Sequence, residues 1–220
     1  PGDSQTLSES AQYNGVQNAK KINMYNQFAQ TLLGYKDSAA NTIETFESDD
    51  NITDDNNQMT SCYFISLSRL LMKEQIKKGS FSMTLGTGSY RYGYPTSSKY
   101  SQVLIDASAS SGTGGGFKSG LPGGDYGVLY VSGASPQTAS GVIFYQAGII
   151  VLTSSFTKSP AGSGKTAATA SMFSASGGGP TSYTALETLV TGTISGSCDV
   201  IRRRIQIISV TNTTEINSKI

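Results

Sequence analysis

The hydrophobic positions of this chain change period twice. Residues 1–16 are polar and aperiodic and read as an extended arm. From 17 to 33, Ile22, Tyr25, Phe28, Ala29, Leu32 and Leu33 recur at three- and four-residue intervals. An α-helix carries such a set on one face, and Gly34 supplies its stop. Residues 35–60 are rich in Asp and Asn, as in Asp49-Asp50-Asn51 and Asp54-Asp55-Asn56-Asn57. They read as a polar loop with local turns, following a short helix at 41–46. A second helix is expected over 63–78. Ser61 would cap it, Phe64, Leu67, Leu70 and Leu71 would form its stripe, and Gly79 would end it. Lys77 and Lys78 would complement its carboxyl end.

From residue 80 the period becomes two. Phe81, Met83 and Leu85 alternate with Ser82 and Thr84, and further strands are expected at 100–107, 126–132, 141–156 and 199–210. The 141–156 run is continuously apolar and β-branched, which predicts one strand buried on both faces. Flexible connectors are expected at 110–116, 120–124, 159–164 and 174–179, where Gly and Ser cluster. Helices first and strands afterwards, without βαβ alternation, predict an α+β fold. It would be mainly an antiparallel β sheet or sandwich, with two amphipathic helices near the N-terminus and an extended N-terminal arm. The expected divisions are an arm at 1–16, a helix plus acidic polar loop at 17–60, and a β-rich structural domain at 61–220.

Composition narrows the function classes. The chain holds 220 residues, of which only 14% are charged, with net charge +1. Serine, threonine and glycine make up over a third of it. The polar surface is therefore mostly hydroxyl and amide. The chain has no histidine. That excludes Ser-His-Asp and Cys-His nucleophile systems and every His-ligated metal site. Near-neutral charge argues against a dedicated nucleic-acid binder, whose affinity needs clustered cations. No apolar run reaches the ~20 residues of a membrane-spanning helix. Cys62 and Cys198 are far apart in sequence, and free thiols are expected rather than a bridge. No cofactor or metal is expected.

Several motifs resemble chemistry. Gly162-Ser163-Gly164-Lys165-Thr166 follows a strand as a phosphate-binding loop would. However, Ser159 stands at the leading glycine position and Pro160 follows it. It reads as a surface loop. The acidic stretch 47–55 lacks the turn glycine and the twelfth-position carboxylate of an EF-hand. It reads as a solvated loop. Asn51-Ile52-Thr53 and Asn212-Thr213-Thr214 match the glycosylation sequon, which matters only in a secretory pathway. Two sets suit an interface. Tyr90, Tyr92 and Tyr94 alternate on one strand face and offer contact area with polar tips. Arg202, Arg203 and Arg204 fall inside the expected 199–210 strand. There they would form salt bridges to an acidic neighbour and guard an edge strand against promiscuous pairing.

Three segments together resemble a known family. They are Tyr63-Phe64-Ile65-Ser66-Leu67-Ser68-Arg69 with Ile76-Lys77-Lys78-Gly79-Ser80-Phe81; Gly127-Val128-Leu129-Tyr130 with Gly141-Val142-Ile143-Phe144-Tyr145-Gln146-Ala147-Gly148; and Arg204-Ile205-Gln206-Ile207-Ile208-Ser209 with Asn212-Thr213-Thr214-Glu215-Ile216-Asn217-Ser218. The chain thereby resembles virion structural proteins of large tailed bacteriophages over residues 60–218. The resemblance implies a non-enzymatic particle component that joins or decorates tail, baseplate or fibre parts. Its partners would be other virion proteins, in a homo- or hetero-oligomeric assembly, with no membrane and no specific nucleic acid. Its location would be the virion, assembled in the host cytoplasm. The resemblance also implies that the pattern continues beyond Ile220. The alternatives are a carbohydrate-binding or host-adhesion module using Tyr90, Tyr92 and Tyr94, and a capsid-associated decoration protein. A nucleotide-dependent enzyme using Lys165 is a more remote one.

Overall fold

The computed structural model describes residues 2–3, 15–36, 42–48, 57–86, 101–106, 109, 116–133, 139–153 and 194–214. In chain order the elements are β1 (Gly2–Asp3), α1 (Gly15–Leu32), β2 (Ser61–Ser66), α2 (Arg69–Met72), β3 (Gln75–Ile76), β4 (Ser82–Gly86) and β5 (Ser101–Ile105). There follow β6 (Tyr126–Val131), β7 (Ala139–Phe144), β8 (Ile149–Thr153), α3 (Ile194–Arg204), β9 (Ile205–Ser209) and β10 (Asn212–Thr213). One eight-stranded antiparallel sheet, ordered β1-β2-β8-β7-β6-β5-β4-β9, carries the fold, and β10 pairs separately with β3. The sheet curls as a half-barrel. Among the described residues no second large sheet packs on it as in a sandwich.

Alternation explains its two faces. In β8, Ile150 and Leu152 enter the inner core and Val151 the outer one. In β7, Ile143 goes inward while Val142 and Phe144 go outward. The inner core is completed by Met72, Ile76, Phe81, Leu104 and Ile201. The outer core is closed by α1 through Tyr25, Ala29 and Leu32, with Leu33 just after it, Phe46 and Met59. The apolar stripe expected over 17–33 is the face that α1 buries, and Gly34 ends the helix at φ +91°. The Tyr25 hydroxyl donates to the Met59 carbonyl at 3.0 Å and accepts from the Phe46 N–H at 2.9 Å. It thus stitches two separate loop segments to the helix.

Several expectations are corrected. The 63–78 helix does not form. Cys62 and Phe64 alternate with Tyr63 and Ile65 between the two cores, and Ser61–Ser66 pairs with β8 instead. Two buried faces satisfy these aromatic and β-branched side chains better than one helical stripe. Only Arg69–Met72 is helical, capped by Ser68 rather than Ser61, and Leu70 is 93% exposed. The short helix expected at 41–46 is replaced over 42–46 by extended backbone bridging Ile43 to Tyr35. The 141–156 run is two strands, because Tyr145–Gly148 turns the chain and Gly148 adopts φ +64°. The expected burial on both faces holds for each half.

In the expected arm, Gly2–Asp3 pairs with Cys62 and Ser61 at the edge of β2, and α1 already begins at Gly15. Residues 4–14 lie outside the described part. The connector at 120–124 is anchored on α1. The Gly123 N–H donates to the Leu32 carbonyl at 2.9 Å, and Gly34 packs on Pro122.

Candidate functional site

Among the described residues, a buried polar constellation lies where β5 leaves the sheet. Asp106, the residue after β5, is fully buried. Its Oδ2 accepts from the Gly79 N–H at 2.8 Å and from the Tyr145 hydroxyl at 3.1 Å, and its Oδ1 from the Phe81 N–H at 3.0 Å. Tyr145 opens the β7–β8 turn, its own N–H donating to the Asp125 carbonyl at 3.0 Å. Gly127 makes room for the phenol, since a Cβ there would collide with the Tyr145 hydroxyl. Nearby, Lys78 ion-pairs with Asp125 and lies 3.6 Å from the Phe117 ring centroid. Lys78 therefore serves no helix terminus. It clamps the 77–81 turn to the 117–125 segment.

Burial pushes the Asp106 carboxyl above its ordinary 3.8, against the opposing pull of its hydrogen bonds from Gly79, Tyr145 and Phe81. Burial, followed by the charge and hydrogen bond of Asp106, pushes the Tyr145 phenol far above 10.0. An acid and a phenol in contact resemble a proton-transfer pair. Both are sealed from solvent, however, and every partner named here is structural. A general acid or base must reach a substrate proton directly or through one water. The pair instead holds the turn that carries the C-terminal segment. Between the two backbone groups bound by Asp106, Ser80 accepts from the Thr211 N–H at 3.0 Å, and Lys77 donates to the Thr211 carbonyl at 2.7 Å. Thr211 lies two residues beyond β9. The buried carboxylate thus fixes the position of the last strand of the sheet.

No family model, curated protein or solved structure matches this chain.

Of the sequence-derived site residues, only the arginines lie among the described residues. Tyr90, Tyr92 and Tyr94, the Gly162–Thr166 loop and most of the acidic 47–55 stretch lie outside the described residues. Arg202, Arg203 and Arg204 form the last turn of α3, not part of a strand. Arg202 does meet an acidic neighbour, Asp199, at 2.8 Å one helical turn back. Both groups are largely exposed, so the pair contributes little. Neither Cys62 nor Cys198 is in a disulfide; the buried Cys62 thiol donates to the Met59 carbonyl at 3.3 Å, and Cys198 is exposed. Among the described residues no group of three His, Cys, Asp or Glu is placed to hold a metal. No described helix is long and apolar enough to cross a membrane.

The surfaces that stand out are ones the sequence patterning missed. Strand β9 ends the sheet among the described residues, and its Ile207 is 63% exposed. Ile207 shares the outer face with Thr84 and Val103, and Ser209 shares it with Ser82 and Ile105. Helix α1 and its outer core lie over the β2-β8-β7-β6 half, and neither Val103 nor Ile105 belongs to that core. A second apolar point is Leu70 at the tip of α2, followed by Lys73 in a strained backbone at φ 51° and ψ −111°. Continuous apolar runs carry no periodic signal for which end of a sheet is covered, so composition alone does not mark these places.

Proposed function

We propose that this chain is a non-enzymatic structural component of a large tailed bacteriophage particle, joining or decorating tail, baseplate or fibre parts through protein–protein contacts. The observation that carries the reading is that β9 ends the sheet among the described residues, with an exposed apolar residue on an uncharged strand. Edges of this kind are where separate chains add strands to one another. The three segments that resemble phage virion proteins include that edge strand and its flanks, and also β2, β6, β7 and the 76–81 turn. The Asp106–Tyr145 pair supports the same reading, since its chemistry goes into holding a rigid frame. Low surface charge fits assembly, because few ions must be desolvated when subunits meet.

The test is to locate the chain. Density-gradient-purified particles are digested and analysed by quantitative mass spectrometry, and a map of the intact particle is searched for the half-barrel. The expected result is the chain at a fixed copy number on the tail, baseplate or fibre attachment. Absence from purified particles, with the chain left in the lysate, overturns the reading.

A further inference from the structure

The geometry points to the knuckle formed by Ser68 and α2 up to Lys73 as a docking point for the acidic segment 49–55 of a second copy of this chain. The inference deepens the assembly reading and rests on it only for the biological setting.

Charge is segregated along the chain. Residues 37–68 hold seven carboxylates and neither Lys nor Arg, whereas 69–78 hold four cations and one carboxylate, Glu74. The near-zero net charge hides these two adjoining stretches of opposite sign. Their patterns match as well as their signs. In Asp49-Asp50-Asn51-Ile52-Thr53-Asp54-Asp55 one apolar side chain stands between two pairs of carboxylates. On the knuckle, Leu70 at 93% exposure stands between the exposed cations Arg69 and Lys73, with exposed Lys77 beyond. Among the described residues no ion pair joins Arg69, Lys73 or Lys77 to a carboxylate.

The knuckle is held firmly from beneath. The Leu67 N–H donates to the Gly148 carbonyl at 2.9 Å, and the Ser68 hydroxyl accepts from the Leu70 N–H at 3.3 Å. Met72 is fully buried against Gly148, where a Cβ would collide with its thioether. A side chain displayed on a rigid support loses little freedom on binding. Lys73 keeps a lysine at φ 51° and ψ −111°, and strain of this kind clusters at functional positions.

The two stretches do not meet within one chain. Glu47 bridges to Gln58, and the Ser48 N–H donates to the Asn57 carbonyl at 3.2 Å, so both ends of the acidic segment are fixed together. Its aspartates lie at most four residues from that bridge, a reach of about 13 Å at full extension. The bridge sits beside Phe46 and Met59 of the outer core, just before β2. The knuckle follows the far end of β2, about 17 Å along the strand, and seats Met72 in the inner core on the opposite face. A segment rooted on one face that docks on the opposite face of the next copy makes a head-to-tail contact, which closes into a ring or runs on as a filament. Exposed ion pairs each contribute little, so burial of Leu70 supplies the affinity and the charges supply register and rate. The contact is of modest affinity and forms at high local concentration, as on a growing particle.

The full chain carrying Cys198→Ser, which removes the exposed thiol, is followed by sedimentation velocity over a rising concentration series at about 0.05 M and about 0.5 M salt. The expected result is reversible association at low salt that weakens about tenfold at high salt. Leu70→Ser weakens it by a further factor of about ten or more. Arg69→Glu with Lys73→Glu removes one half of the contact, and Asp50→Lys with Asp54→Lys removes the other. Each of these double variants is monomeric alone. Mixed in equal amounts they form a one-to-one dimer and nothing larger, because one complementary contact remains. A parent chain that stays monomeric at low salt, or an association indifferent to Leu70→Ser, overturns the inference. So does a mixture that stays monomeric while both double variants keep the parent circular dichroism spectrum. If either loses that spectrum, the Leu70→Ser and salt series decide alone. Capture of a non-associating chain by anionic lipid vesicles, lost in Leu70→Ser, assigns the knuckle to a membrane surface and also overturns the inference. A chain that never self-associates but is present in purified particles overturns this inference alone. Self-association of a chain absent from particles overturns the virion reading alone.

Discussion

The Tyr145 hydroxyl donates to Oδ2 of Asp106 at 3.1 Å with both side chains fully buried. This contact joins the β7–β8 turn to the end of β5. Through Gly79 and Phe81, Asp106 also holds the turn that leads into β4.

Asp106→Asn leaves the shape nearly unchanged but replaces an acceptor oxygen with an N–H₂ group facing donors. The expected loss is about 1–3 kcal/mol, the penalty for buried groups left unsatisfied. Urea denaturation measures it. The pH dependence has a definite sign. The folded carboxyl titrates above the unfolded 3.8, so the stability contributed by its protonated form is full below 3.8. That contribution is lost as pH rises through the folded value. The stability of the wild type relative to Asp106→Asn should therefore fall as pH is raised from 3.8.

Tyr145 should resist alkaline ionisation. Its folded phenol titrates far above the ordinary 10.0, so its protonated form contributes stability up to about that pH. The contribution is lost only at higher, strongly alkaline pH. In a spectrophotometric titration at the phenolate band, a late component should appear together with unfolding. That component should be absent from Tyr145→Phe.

Gly127→Ala tests the space beneath the phenol. The added methyl occupies the position of the Tyr145 hydroxyl, so the ring must move off Asp106. Overpacking of this kind typically costs about 1–3 kcal/mol. The combination with Tyr145→Phe should be less destabilising than the sum of the single changes. A double-mutant cycle by urea denaturation measures the difference.

Tyr25→Phe removes the hydroxyl that bonds both Met59 and Phe46. Two buried backbone groups lose a partner together, for an expected cost of about 1–3 kcal/mol. Hydrogen exchange should speed up at the Phe46 N–H, while α1 keeps its protection.

Lys73→Gly should stabilise the chain. A non-glycine residue at φ 51° and ψ −111° is strained, and glycine relieves that strain at some cost in unfolded-state entropy. The expected net gain is about 1 kcal/mol, or roughly 2–4 °C in melting temperature for a chain of this size. Calorimetry checks it.

The chain's own patterning determined a good deal. The α1 stripe from Ile22 to Leu33, the strand positions of β4, β5 and β6, and the antiparallel β-dominated class all follow from period and composition. So does the exclusion of histidine chemistry. The tertiary structure decided the rest, wherever one local pattern served two outcomes. Phe64, Leu67 and Leu70 recur at helical spacing. Yet Cys62 to Ile65 also alternate, and pairing with β8 from a distant part of the chain selects the strand. The 141–156 run has no polar break strong enough to mark a turn, and only pairing of its two halves shows Gly148 as the corner. Asp106 looks like any strand-end carboxylate until residues 79, 81 and 145 close around it. That β9 stands last in the sheet among the described residues is a property of the order β5-β4-β9 and not of any segment read alone. Local patterning selects which side chains are buried together, whereas long-range pairing decides which strands become neighbours.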